Sequence, residues 1–150
     1  MDIIEWRYKS FDELSTSELY EILKIRSEVF IVEQNCPYQD ADGKDQKSFH
    51  LTGWRGDNAV AYVRIIPPRI SYAEASIGRV LTVMTERKSG TGKILMEKAI
   101  ALTLEHFNVT EIKIGAQLYL DRFYTSLGFR QTSPMYLEDG IPHIEMLYSK

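Results

Sequence analysis

Ile77-Gly-Arg-Val-Leu-Thr-Val83, followed by Arg87-Lys-Ser-Gly-Thr-Gly92 and an apolar-periodic run to Phe107, is the stretch that decides the fold. It reads as a strand, a Gly-rich turn, and the helix that this turn opens. The first N–H groups of a helix have no intrahelical partner, and the macrodipole puts partial positive charge there, so such a start suits an anion. Lys93, in the first helical turn, is a cation where the dipole disfavours one. An anionic ligand would offset it.

Two common phosphate patterns are excluded. No Gly-Lys-Ser or Gly-Lys-Thr follows four residues after a first glycine, so this is not a Walker loop. Gly90-x-Gly92 also lacks the third glycine that a dinucleotide fingerprint needs at position 95.

Outward from this stretch, Ile4, Trp6 and Tyr8 alternate with charged residues, as in a half-buried strand. Ser15-Thr-Ser-Glu18 has capping-box spacing, and the apolar residues after it predict a helix from about Ser15 to Phe30. Glu33 to Asp45 is polar and irregular, with Pro37 and Gly43, and reads as a loop containing a short helix at most. Phe49–Trp54 and Val60–Ile66 read as strands joined by Gly56-Asp-Asn58. A further strand is expected over Ala73–Val83, another at Ile112–Ala116, and a short helix over Leu118–Leu127 stopped by Gly128. Phe129–Thr132 and Ile141–Tyr148 close the chain, with Asp139-Gly140 as a turn before the last strand. This order implies an α/β protein with a mixed sheet of about seven strands and helices on both faces. Three strands in a row before the Gly-rich turn exclude a doubly wound nucleotide fold.

With 150 residues, the chain is expected to form a single domain over 1–150. Its 21 acidic and 18 basic residues leave a net charge of −3, which argues against nucleic acid as partner. No apolar run approaches the ~20 residues of a membrane span, so no membrane role is expected. The first residues lack the basic start and apolar core of a signal peptide, and the single cysteine, Cys36, fits a reducing compartment; both point to the cytoplasm. Asp40-x-Asp42-Gly43-x-Asp45 resembles calcium-loop chemistry only superficially, because an EF-hand needs glycine where Asp45 stands and glutamate where Leu51 stands; no metal is expected. Cys36 reads as a packed loop cysteine rather than a nucleophile.

The pattern Arg87-x-x-Gly90-x-Gly92 after an apolar strand resembles motif A of the GNAT N-acetyltransferase superfamily. Phe123-Tyr-Thr-Ser-Leu-Gly-Phe129 looks like the superfamily segment in which a tyrosine stands four residues before Gly-Phe. Leu23 to Tyr38 with Asp40-x-Asp42, then Ile77-Gly-Arg-Val80, Gly115-Ala-Gln117 and Glu138-Asp-Gly-Ile-Pro-His143, is similar to the ElaA-like family of GNAT proteins, over essentially the whole chain. Lys88 and Ser89 depart from the small glycine often found after the motif arginine; the backbone N–H donors survive that change.

The resemblance implies acetyl transfer from acetyl-CoA to a primary amine of a small-molecule acceptor. Backbone N–H groups of Arg87, Lys88, Ser89, Gly90, Thr91, Gly92 and Lys93 would hold the pyrophosphate. A splayed strand at Val80, Leu81 and Thr82 would pair with the pantetheine amides and direct an N–H to the thioester oxygen, an interaction worth ~3 kcal/mol in the transition state. Phe123 and Gln117 would line the donor, and Tyr124 would protonate the departing thiolate as general acid. The motif strand carries no carboxylate for a base. Glu33, Asp40, His50 and His143 remain candidates; His50 sits in an apolar strand, where a satisfied core histidine is as good a reading. Acidic Asp40, Asp42 and Asp45 would suit a cationic amine, or be solvated loop residues. A homodimer is one state the resemblance implies. The competing functional reading is a CoA- or partner-binding module on the same fold that has lost catalysis.

Overall fold

The computed structural model describes residues 3–150. β1 (Glu5–Ser10), β2 (Phe49–Arg55), β3 (Asn58–Ile66) and β4 (Ser76–Thr82) form one antiparallel sheet in that order. β5 (Glu111–Gln117), β8 (Ile141–Ser149) and β6 (Phe129–Gln131) form a second, and β7 (Tyr136–Glu138) pairs with β8. The sheets meet where Ala75 bridges Ile112 in parallel and Lys113 N–H donates to the Ala75 carbonyl at 2.9 Å. That is the one bridge recorded between them among the described residues, and β4 and β5 part beyond it.

Helices cover both faces. α1 (Thr16–Arg26) packs Ile22 and Ile25 onto Trp54, Tyr62 and Leu81. α2 (Thr91–Phe107) sets Leu95, Met96 and Ala99 against Val63, Ile65, Ile77, Ile112 and Ile114, and α3 (Asp121–Ser126) adds Tyr124 to this second cluster. The alternation in β5 explains the split: Ile112, Ile114 and Ala116 are buried against the helices, while Lys113, Gly115 and Gln117 face the other way.

The capping box forms as expected, with Glu18 N–H donating to Ser15 Oγ at 3.0 Å and Ser15 N–H to Glu18 Oε1 at 2.8 Å. The helix it starts differs from the expectation. α1 ends at Arg26 and continues as a π-helical segment over Ser27–Glu33, where Gln34 N–H reaches the Val29 carbonyl at 3.3 Å. The apolar spacing survives a change from i−4 to i−5 bonding, so the pattern alone read both as one α-helix. Strand Ala73–Val83 is shorter at both ends than expected, Leu118–Leu120 is a 3-10 turn ahead of α3, and the described residues form eight strands because β7 follows Pro134 as a three-residue piece.

β4 carries a bulge. Leu81 pairs with Tyr62 and Gly78 with Arg64, so Arg79 and Val80 together oppose Val63. Arg79 takes φ +52°, a conformation that L side chains adopt reluctantly. The bulge turns the strand just where it leaves β5.

Candidate active site

The Gly-rich loop begins where β4 ends. Gly90 is the N-cap of α2 at φ +85°, and a Cβ there would meet no atom within 4 Å, so glycine is required by the backbone and not by crowding. Ile94 N–H returns to the Gly90 carbonyl at 3.2 Å. The first-turn N–H groups of Thr91, Gly92 and Lys93 precede that bond and are left over by helix geometry. Lys88 is also left-handed, at φ +65°. The loop braces itself from within: Ser89 Oγ donates to the Glu86 carbonyl at 2.5 Å and lies 2.8 Å from Thr91 Oγ1. Buried Glu86 is held in turn by Arg55 Nε at 2.6 Å. The Ser89 and Thr91 hydroxyls are thus committed to loop shape, which leaves their N–H groups as what they can offer an anion.

Toward the parted strands, Val80 and Thr82 are half-exposed, whereas the Leu81 side chain is buried under α1 and only its backbone is available to a ligand. A Cβ at Gly78 would also meet nothing within 4 Å, which marks open space beside β4. Gly92 lies near Phe123, whose Cζ would be 3.9 Å from a Cβ at that glycine. Phe123 packs edge-on to Tyr124 at 5.2 Å between ring centroids, and Tyr124 edge-on to Phe129 at 5.8 Å. Loop, Phe123 and Tyr124 are therefore contiguous. Burial raises the Tyr124 phenol well above its ordinary value, so it is a neutral proton donor at neutral pH.

Glu33 and Gln34 reach two sides of this region. Glu33 Oε2 pairs with Arg87 Nη2 at 2.6 Å, and Arg87 Nη2 also donates to the Thr82 carbonyl at 3.1 Å. Gln117 Nε2, from the end of β5, donates to Gln34 Oε1 at 3.3 Å. His143 lies opposite Gln117 in the β5–β8 register, with Nδ1 2.7 Å from the Ile141 carbonyl. His50 is the satisfied core histidine: buried, with Nε2 3.0 Å from the Asp45 carbonyl and Nδ1 2.6 Å from Tyr62 Oη, and burial lowers its basicity.

The acidic loop is corrected most by the structure. Asp40 and Asp45 are buried, and all three carboxylates, exposed Asp42 included, are engaged by arginines. Arg26 donates from Nε to Asp40 at 2.8 Å and from Nη1 to Asp45 at 2.7 Å. Arg64 donates to Asp42 and Asp45, and Arg79 to Asp40 at 2.8 Å. Arg26 is 0 % exposed, so its charge persists only because these carboxylates surround it. Burial opposes ionisation of Asp42 and Asp45, yet the guanidinium groups overcome it and hold both carboxyls below their ordinary values. Sequence reasoning missed Arg26 and Arg64. Their signal was position: Arg26 one turn after Ile22, and Arg64 within the apolar run of β3.

A second cluster, of which His143 was a sequence candidate and Tyr72 and Tyr136 were not, lies on the open face of β5 and β8. The hydroxyls of Tyr72 and Tyr136 converge over Gly115, where a Cβ would come within 3.1 and 2.8 Å of them. His143 stacks on Tyr136 at 5.9 Å, and its Nε2 is 3.4 Å from Glu138 Oε2. The Glu138–His143 segment was visible as a hairpin; Asp139 and Gly140, both at positive φ, turn it as expected.

Parallel strands that part after one bridge, a bulge at the parting, and an N–H-rich helix start directly beyond together make the GNAT acyl-CoA N-acyltransferase fold. Residues 14–150 match the family model described as an acetyltransferase (GNAT) domain, and the chain belongs to that family. It is 42% identical over 146 residues to Protein ElaA of Escherichia coli, covering 96% of this chain and 95% of that one. The crystal structure of E. coli ElaA superimposes with a TM-score of 0.92 at 41% identity, over 98% of this chain and 100% of the other. That of an acyl-CoA N-acyltransferase from Pseudomonas aeruginosa gives 0.93 at 38% identity, again over 98% and 100%. No helix of the described residues is long and apolar enough to cross a membrane.

Proposed function

We propose that this chain, as one catalytic domain, transfers an acetyl group from acetyl-CoA to a primary amine by direct attack. The observation that carries the reading is the β4 edge that leaves β5 and leads to the Gly90 helix start, with Tyr124 joined to that start through Phe123. The pantetheine amides extend the β4 edge as an added strand, and the pyrophosphate takes the N–H groups from Lys88 to Lys93 with the α2 dipole. Arg87 adds a guanidinium once the diphosphate outcompetes Glu33. Gln117 and Phe123 line the donor.

The acceptor must shed one ammonium proton before its nitrogen can attack the thioester carbon. His143 is the base in this reading: the Ile141 carbonyl accepts from Nδ1, so Nε2 is the nitrogen of the neutral ring that can take a proton. The tetrahedral oxyanion takes an N–H at the β4 bulge, near Val80. The C–S bond then breaks, the thiolate takes the Tyr124 proton, and the second proton that the nitrogen loses as the amide forms returns to the Tyr124 phenolate. Glu33, bound to Arg87 beside the donor loop, acts as counter-ion there and not as base.

The test is thiol release from acetyl-CoA with an amine library. Tyr124→Phe lowers turnover about 100-fold with donor affinity intact, the usual size of a general-acid contribution. An equally active variant removes Tyr124 from the mechanism. A CoA-binding module without catalysis is the second reading, favoured by the engagement of Glu33 with Arg87; it predicts donor binding with no thiol release from any amine.

A further inference from the structure

Among the described residues, Arg79 is the only strand residue with a left-handed backbone: its φ is +52° in the middle of β4. The other non-glycine residues at positive φ, Asn35, Arg69, Lys88, Asn108 and Asp139, lie in turns. Gly78, one position earlier, could take such a conformation freely, yet its own φ is ordinary. A Cβ makes the left-handed region costly, and it persists only where neighbouring groups over-determine it.

Those groups are in place around the Arg79 side chain. Nε donates to Asp40 Oδ1 at 2.8 Å and Nη2 to the Asp40 carbonyl at 3.0 Å. The guanidinium lies 5.5 Å from the Tyr38 ring centroid, and the Tyr38 hydroxyl donates to the same Asp40 oxygen at 3.3 Å. Asp40 is itself fixed to α1, since its Oδ2 accepts from Arg26 Nε at 2.8 Å. The buried acidic cluster does not depend on Arg79. Arg26 and Arg64, with side chains 0% and 3% exposed, already engage Asp40, Asp42 and Asp45 between them. Arg79, 21% exposed, adds a tie from that cluster to the β4 bulge.

Neither Arg79 nor Val80 has a partner residue in the β3–β4 register, and β4 has left β5 by this point. The peptide joining them is therefore aimed by the φ and ψ of Arg79 and not by a ladder. That peptide carries the Val80 N–H. Building on the acyltransfer reading, we propose that Arg79 is a positioning residue. Its guanidinium, latched on Asp40, holds the left-handed turn that aims the Val80 N–H at the thioester oxygen. The latch touches neither substrate nor the pyrophosphate loop, so its loss lowers kcat and leaves donor affinity intact.

The experiment compares the full-length wild type with Arg79→Ala, Arg79→Gly and Arg79→Lys, each shown to be folded by its melting curve. The NMR signal of the Val80 amide, in protein isotope-labelled at valine and identified by its loss in Val80→Ile, is recorded with CoA and with acetyl-CoA. Only acetyl-CoA has a thioester oxygen, so the difference between the two spectra reports the hydrogen bond. The wild type is expected to show that difference and Arg79→Ala to lose most of it. Arg79→Gly keeps more than Arg79→Ala, because glycine takes the turn without a latch. In thiol release with an amine library, kcat follows the same order. Arg79→Ala loses about 10-fold or more while KM for acetyl-CoA stays within about 2-fold, and Arg79→Lys regains part of the loss. A merely structural arginine predicts the reverse order for the two small residues, since glycine weakens a strand more than alanine does. No amide difference in the wild type, one that survives in Arg79→Ala, or glycine no better than alanine overturns the proposal. Thiol release with kcat unchanged by Arg79→Ala rejects the latch and keeps the transferase. Amide differences in the expected order, without thiol release from any amine, keep the latch and reject transfer.

Discussion

Glu33 Oε2 lies 2.6 Å from Arg87 Nη2, tying the last residue of the π-helical segment to the loop that opens α2. The same guanidinium group donates to the Thr82 carbonyl at the end of β4. A diphosphate arriving at this loop therefore meets an arginine already engaged. Glu33→Gln is expected to tighten CoA binding about 2- to 5-fold, because an exposed ion pair of this kind contributes up to ~1 kcal/mol. Arg87→Ala should weaken it, more so at low salt. Calorimetric titration at two ionic strengths checks both; weaker binding by Glu33→Gln would show that the pair supports the donor site instead of competing with it.

Arg26 is fully buried between Asp40 and Asp45. Arg26→Ala leaves those carboxylates uncompensated and is expected to cost about 3 to 5 kcal/mol, measured by urea unfolding. Arg26→Lys recovers the charge but not the two-directional contact, and should fall between. A loss below 1 kcal/mol for Arg26→Ala would mean the loop rearranges and rehydrates at little cost.

Acid should destabilise the protein in two stages. Burial lowers the basicity of His50, so the unfolded chain takes its proton first, near the ordinary value of 6.5, and stability begins to fall below that pH. Burial opposes ionisation of Glu18, but Ser15 N–H, Lys9 and Arg7 outweigh it and bring its carboxyl down to about 2. Asp42 and Asp45 are lowered as well. Their stabilisation is full above the unfolded values near 4 and is lost as pH falls through the folded ones. Thermal melting from pH 8 to 3 should show both stages, and His50→Gln should remove the first. A midpoint that rises on acidification contradicts the sign of every group named.

The Gly-rich helix start and the Tyr124 helix were legible in the sequence because their signals are local: Gly90 and Gly92 stand a residue apart, and Tyr124 four residues before Gly128. The strand order followed from period and turns for the same reason. The arginine–aspartate network was not legible, since its partners lie between 14 and 39 positions apart. An acidic loop looks alike whether it meets water or buried guanidinium groups. The π-helical segment kept its apolar spacing while its hydrogen bonds changed, and β7 was too short to show a period. Glu138 and His143 stand five positions apart in the sequence, but their contact depends on the turn at Asp139 and Gly140.

Acetyl-CoA is proposed to bind where β4 leaves β5, on the helix start at Gly90. Valine at that position would be forced to φ +85°, at a cost of about 1 to 2 kcal/mol, and its side chain would enter the open space above the free N–H groups. The direct measurement is calorimetric titration of acetyl-CoA into the folded wild type and into Gly90→Val, with melting curves confirming that both are folded. The wild type is expected to bind saturably and the variant at least 10-fold more weakly, ~1.4 kcal/mol. Equal binding by both, or none by the wild type, would contradict it.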